Sequence, residues 1–287
     1  MWSTFETRVP GKWVLAGEHT VLRGGSAVAL PHPDFSLKLS FTPGTSSGLT
    51  VFPDSATAVI RDLLRAVEDR WQNEDRSFPK PQGELKLEST IPIGSGLGSS
   101  AALCVAMTRW LAGPLGIPAA EIQEFATQLE HRFHGRSSGM DIAVTSAGQP
   151  VAFSMERGAK ALGVRSLPKF TFHDTGLRAR TSDCVVKVEA FREENPILAM
   201  KTDELMGLAT RNSTEGLIRF SAGDPEGLRL LAQGMKQAQE AFYTWKLVPD
   251  EGRRLEADLF DQGALAVKLT GAGGGGFLVA LWPSEPL

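Results

Sequence analysis

The stretch Ile93-Gly94-Ser95-Gly96-Leu97-Gly98-Ser99-Ser100-Ala101-Ala102-Leu103 decides how the rest of this chain is read. Before it, Glu84-Leu85-Lys86-Leu87-Glu88-Ser89-Thr90-Ile91 alternates polar and apolar residues, the pattern of a half-buried strand. After it, the run from Ala101 to Leu111 is mostly apolar and rich in helix formers, which predicts a buried helix. Strand, glycine loop and helix together can hold a phosphate. Glycine lets the backbone take positive φ and approach an anion closely. The free N–H groups and positive end of the helix then favour negative charge. The common P-loop needs a Lys before its Ser or Thr, whereas Gly98 precedes Ser99 here. The dinucleotide G-x-G-x-x-G spacing is also absent. From the loop alone, a phosphate cradle and a ligand-free turn both remain open.

The bulk numbers bound the rest. A chain of 287 residues fits one large domain or two modest ones. The net charge of −3 carries no nucleic-acid footprint. The two cysteines, Cys104 and Cys184, make no disulfide framework, which points to a reducing, cytoplasmic setting. Met1-Trp2-Ser3-Thr4-Phe5-Glu6 lacks a signal-peptide pattern, and no run of about 18 apolar residues predicts a membrane span. Glycines cluster between Gly11 and Gly25, between Gly94 and Gly98, and between Gly271 and Gly276, which suggests backbone made to approach something.

In chain order, Lys12 precedes a short apolar strand, then Gly17-Glu18-His19 and a Gly24-Gly25 turn. Strands are expected over 35–42 and 48–52, and a helix over 56–73. A second helix over 119–134 carries Glu130 beside its apolar stripe, either as a surface charge or aimed inward. Asp141 follows Gly139-Met140, either as a helix N-cap or as a carboxylate presented to a site. Gly148-Gln149-Pro150 marks the boundary of two halves, 1–149 and 150–287. In the second half, Thr181-Ser182-Asp183 is expected to cap a helix, with further helices near 197–212, 225–246 and 250–262. Strands at 264–270 and 277–282 flank the glycine run. The mixed order predicts α+β in both halves.

Three separated segments then resemble one family. Pro10-Gly11-Lys12-Trp13-Val14-Leu15-Ala16-Gly17-Glu18-His19 is similar to the N-terminal motif of the GHMP kinases, in its mevalonate-kinase form. Pro92–Ala102 resembles their phosphate loop, and Lys268-Leu269-Thr270-Gly271-Ala272-Gly273-Gly274-Gly275-Gly276 their C-terminal glycine motif. Ser138-Gly139-Met140-Asp141 resembles the segment bearing the catalytic aspartate of mevalonate kinases, with Glu130 at the spacing of their metal-binding glutamate. Two positions depart from the pattern: Ile142 follows Asp141 where Asn is commoner, and Phe277 closes the third motif in place of Cys.

The resemblance implies a ribosomal-protein-S5-like N-terminal domain, a ferredoxin-like C-terminal domain, and a site between them. It implies ATP-dependent phosphorylation of a small alcohol, with mevalonate as acceptor; phosphomevalonate, a sugar, or a non-catalytic ATP-binding regulator are the alternatives. Gly94, Ser95, Gly96, Leu97, Gly98, Ser99 and Ser100 would wrap the ATP phosphates. Ser100 and Glu130 would hold Mg²⁺, an oxygen-ligand site suited to a hard cation. Asp141 would take the proton of the attacking hydroxyl beside Lys12. Glu18 and His19 would help hold Lys12 or the substrate, Thr270, Gly271 and Ala272 would line the site close to the acceptor, and Arg136 is a further candidate. A homodimer follows by family analogy alone, while the charge and the hydropathy predict no nucleic-acid or membrane partner.

Overall fold

The computed structural model describes residues 2–45, 48–134 and 138–283 of an α+β chain. It folds as two compact units. One comprises Met1–Gly11, His32–Ile91 and Gly98–Ser146; the other comprises Lys12–Pro31, Pro92–Leu97 and Ala147–Leu287. Thus two segments of the first 149 residues, one bearing Lys12 and His19 and one bearing half of the glycine loop, pack in the second unit.

In the first unit, β4 (Gly83–Ser89) pairs antiparallel with the latter part of β2 (Ser26–Pro43), from Leu37↔Ser89 to Pro43↔Gly83. Strand β3 (Leu49–Phe52) runs parallel to β4. Helix α1 (Thr57–Asn73) buries Ile60, Leu63, Val67 and Trp71, the stripe its sequence spacing predicts. Helix α2 (Ser99–Leu115) is apolar almost all round and is buried along most of its length. Trp110 on α2 stands 4.8 Å from Trp2 and 5.0 Å from Phe41, ring centre to ring centre. Each such fully buried large side chain contributes roughly 1.5–3 kcal/mol. Helix α2 runs through Pro114. It ends at Gly116, whose left-handed conformation caps it. Helix α3 (Ile122–His134) packs on α2, and α4 (Met140–Ala147) follows.

In the second unit, β5 (Val151–Ser154) pairs with the start of β2, from Ser26↔Ser154 to Ala29↔Val151, and with β6 (Gly158–Ala161), a strand the sequence reading missed. Strand β2 is continuous from Ser26 to Pro43 where a strand was expected over 35–42, with Pro31 and Pro33 lying between its β5 and β4 registers. Strand β1 (Phe5–Ala16) begins earlier than expected, because the alternation of Phe5, Thr7 and Val9 is already strand-like, so Lys12 lies inside it. A second sheet has the order β7 (Phe170–Asp174), β9 (Phe277–Leu281), β8 (Ala266–Thr270), all antiparallel.

Four helices complete this unit: α5 (Thr181–Glu194), α6 (Pro196–Ser221), α7 (Glu226–Thr244) and α8 (Asp250–Asp261). The N-cap of α5 is Arg180 rather than the expected Thr181-Ser182-Asp183 group. Met206, Phe242, Trp245, Leu269 and Leu278 form part of this unit's core. No helix among the described residues is long and apolar enough to cross a membrane.

Candidate active site

The glycine loop takes the strained backbone its composition allows. Gly94, Gly96 and Gly98 have φ of 72°, 77° and 79°. Ser95 and Leu97, between them, are turned inward and are 3% and 1% exposed. The Ser95 hydroxyl donates to the Pro92 carbonyl at 2.6 Å, closing the loop on itself. The Leu97 carbonyl accepts the Lys12 N–H at 2.9 Å, which fastens the loop to β1. Gly94 and Gly96 are left exposed to solvent. The Gly98 carbonyl then accepts the Ala102 N–H at 2.9 Å and starts α2. The first N–H groups of α2, from Ser99 onward, have no intrahelical acceptor and lie where the helix end is positive.

In the first unit, Ser99 and Ser100 are half-buried in that opening turn, while Glu130 on α3 is 1% exposed. Cys104 lies one turn along α2 from Ser100, on the same face. Burial pushes its thiol up from the ordinary value, and the Glu130 charge pushes it further. Glu130 is therefore an inward carboxylate facing that side of α2, not the surface charge that helix position usually holds. Asp141 is the second residue of α4 and half-buried. It is not an N-cap, since Met140 precedes it within the helix. Gly139 turns into α4 at φ 80°, and the Thr145 hydroxyl donates to the Asp141 carbonyl at 2.8 Å. Arg109 on α2 donates to the Ser146 carbonyl at 3.0 Å and so fixes the far end of α4. Arg136 lies outside the described residues.

In the second unit, Lys12, Glu18 and His19 are 4%, 4% and 6% exposed. Glu18 meets a residue the sequence reading did not assign. Lys268 on β8, 0% exposed, donates to Glu18 Oε1 at 2.6 Å and to the Val14 carbonyl at 3.1 Å. Its third donor goes to the Leu269 carbonyl, so every ammonium hydrogen is used. Burial pushes the Glu18 carboxyl up and the Lys268 ammonium down, and each one's charge opposes the other's shift. The Lys12 charge acts on both, favouring ionised Glu18 and disfavouring charged Lys268. Glu18 Oε2 has no hydrogen-bond partner among the described residues. The signal for Lys268 was available: a lysine within the apolar strand Ala266-Val267-Lys268-Leu269 needs a buried partner.

His19 Nε2 lies 2.9 Å from the Ala272 carbonyl. A carbonyl only accepts, so Nε2 carries the hydrogen. Burial lowers its pKa to about 4, so the ring is neutral at pH 7. The ring stands edge-on to Trp245, with centres 5.1 Å apart. The Thr270 hydroxyl donates to the Val14 carbonyl at 3.0 Å and accepts the Val14 N–H at 2.8 Å, so it ties β8 to β1. A Cβ on Gly271 would lie 3.5 Å from the Cα of Gly96, so the two glycine loops approach backbone to backbone.

A family model described as "GHMP kinases N terminal domain" matches residues 58–149. The mevalonate kinase of Archaeoglobus fulgidus is 30% identical to this chain over 282 residues, covering 96% of this chain and 92% of that protein. The chain belongs to the mevalonate kinase family of the GHMP kinases. The Aeropyrum pernix mevalonate kinase is 28% identical, with 95% of this chain and 87% of that protein covered. In fold, the chain is similar to the L. major mevalonate kinase solved in complex with R-mevalonate, at TM-score 0.80 and 23% identity, over 99% of this chain and 90% of that one. The GHMP kinase motifs are thus divided between the two units. Ser100, Glu130 and Asp141 stand in one; Lys12, Glu18, His19 and the C-terminal glycine run stand in the other.

Proposed function

We propose that this chain transfers the γ-phosphoryl group of ATP to the terminal hydroxyl of mevalonate. The observation that carries this reading is Glu130. Its carboxylate is 1% exposed on α3 and its charge acts on Cys104 of α2, one turn along from Ser100 at the opening of that helix. Glu130 and the Ser100 hydroxyl, both oxygen donors, would hold Mg²⁺, a hard cation that prefers oxygen ligands. When bound, Mg²⁺ offsets charge on the phosphate oxygens.

The chain's own residues do the rest by positioning, since phosphoryl transfer asks little covalent work of the protein. The backbone N–H groups of Gly94–Ser100 hold the phosphates. Asp141 accepts the proton of the acceptor hydroxyl as its oxygen forms a bond to Pγ. The bond from Pγ to the bridging oxygen breaks, and ADP leaves with that electron pair. Lys12 supplies positive charge to the acceptor oxygen, and neutral His19 with Ala272 bounds the acceptor. A positioned proton acceptor contributes roughly 10²–10⁴-fold.

The test is ADP release from Mg-ATP by purified protein with mevalonate, phosphomevalonate, galactose or homoserine. Release with mevalonate alone, abolished in Asp141→Asn while ATP still binds, supports the reading. Release with a different acceptor replaces the substrate. ATP binding without release under any acceptor supports a regulator and overturns the transferase.

A further inference from the structure

Arg23 has no place in the machinery above, yet it is built into the element that carries His19. It ends the single helical turn Thr20–Arg23 that starts directly after His19. Its Nη1 donates to the His19 carbonyl at 3.3 Å and to Glu189 Oε1 on α5 at 3.0 Å. Its Nε and Nη2 donate to the two carboxylate oxygens of Asp203 on α6, at 3.3 and 2.6 Å. Arg192 donates to the same Asp203 at 3.4 Å. This is the paired, planar contact that an arginine makes and a lysine does not.

His19 needs such holding. Its φ of 60° lies in the left-handed region, which residues with a side chain seldom occupy unless their surroundings enforce it. Its ring is fixed at one end by the Ala272 carbonyl, and its own carbonyl is fixed at the other by Arg23.

We infer that the Arg23–Asp203 pair is a positioning clamp that holds His19 in its strained conformation for the phosphate acceptor. This rests on the proposed function in one respect, that His19 lies on the acceptor side. The clamp is reachable by solvent. Arg23 and Asp203 side chains are 19% and 27% exposed, and they border a cavity of about 560 Å³ whose other walls include Thr20, Ala199 and Met200. The charges of the clamp also act on the ring: Arg23 lowers the His19 pKa and Asp203 raises it. A purely structural tie between the hairpin and α6 would lower thermal stability and weaken ATP and acceptor binding alike. A positioning clamp acts on the acceptor and on His19.

The experiment compares Arg23→Lys, Arg23→Gln and Asp203→Asn with the unaltered protein. The first readout is steady-state kinetics with Mg-ATP and mevalonate. The second is the ¹⁵N resonances of the His19 ring, assigned by their loss in His19→Asn. In Arg23→Gln the acceptor KM is expected to rise roughly tenfold, the size expected for a lost charge-assisted contact, with kcat and the ATP KM changed less than about twofold. Arg23→Lys recovers part of that loss. The His19 resonances shift in all three variants, with opposite changes in ring pKa on removing Arg23 and on removing Asp203. Unchanged His19 resonances in Arg23→Gln would overturn the clamp, as would an equal rise in the KM of ATP. If the unaltered protein does not turn over mevalonate, the acceptor reading falls, and the His19 resonances still decide the clamp.

Discussion

The two glycine clusters look alike in sequence and differ in what their glycines do. In the first, a Cβ added to Gly94 would meet nothing within 4 Å, and one on Gly96 would make only ordinary contact at 3.7 Å. In the second, a Cβ on Gly275 would stand 2.8 Å from the Leu177 carbonyl oxygen, and one on Gly276 would stand 2.9 Å from that of Ser95. The second run is also tied by its backbone: Gly274 and Gly276 donate to the Leu247 and Leu177 carbonyls at 2.7 and 2.8 Å. Open space over the first cluster suits a ligand at the start of α2. The second cluster is glycine because neighbouring chain fills the space where side chains would go. A glycine cluster therefore signals close approach, but sequence alone does not say whether the approaching group is a ligand or the protein itself.

If that contrast is right, the largest effect comes from the second run. Gly276→Ala adds a clash to a residue already at φ 83°. Overpacking and left-handed strain together predict a loss of roughly 2–5 kcal/mol. Urea unfolding measures it. A loss below about 1 kcal/mol, within the range of ordinary surface changes, would mean the run is not packed as described.

The next effect concerns His19, whose ring donates to the Ala272 carbonyl in that run. His19 sits at a pKa of about 4 when folded, against an ordinary value of 6.5. Below pH 6.5 the unfolded chain takes up a proton that the folded chain refuses. Stability is therefore full above about pH 6.5 and falls as pH drops toward about 4, by on the order of 3 kcal/mol across that window. His32, also lowered to about 4, shares the window. The measurement is the difference between wild type and His19→Asn, whose stability should fall less steeply from pH 6.5 to 4. Parallel curves would show that the His19 ring is not buried in the folded protein as described.

Much of this was legible from periodicity. The loop, the buried helix after it, the stripe on α1 and the glycine run between two strands all follow from patterns a few residues long. Longer-range features were not. The continuity of β2 through Pro31 and Pro33 depends on a change of partner along the strand, which local sequence does not encode. Arg23 and Asp203 are 180 residues apart, and nothing near either announces the other. Glu130 stood at a position compatible with either surface or interior, and only its packing against α2 decided it. The Thr270 hydroxyl hydrogen-bonds the Val14 backbone across 256 residues of sequence and joins β8 to β1, a tie that no local pattern announces.

The open loop predicts the opposite balance of effects. Gly94→Ala meets no neighbour, so its cost is the left-handed strain alone, about 1–2 kcal/mol. Its main consequence should be a raised KM for ATP with the acceptor KM unchanged. An acceptor defect of equal size would mean that Gly94 is not a phosphate-side residue.

Ser95→Ala gives the smallest effect and the finest distinction. The Ser95 hydroxyl is buried and donates to Pro92, so it holds the loop's shape and is not free to reach a ligand. Removing it deletes one internal hydrogen bond, worth about 0.5–1.5 kcal/mol. The expected result is a severalfold rise in ATP KM through a looser loop, with kcat at saturating ATP preserved. A large fall in kcat would show the hydroxyl acting on the phosphates in the transition state. The first loop's side chains, and not only its open backbone, would then belong to the chemistry.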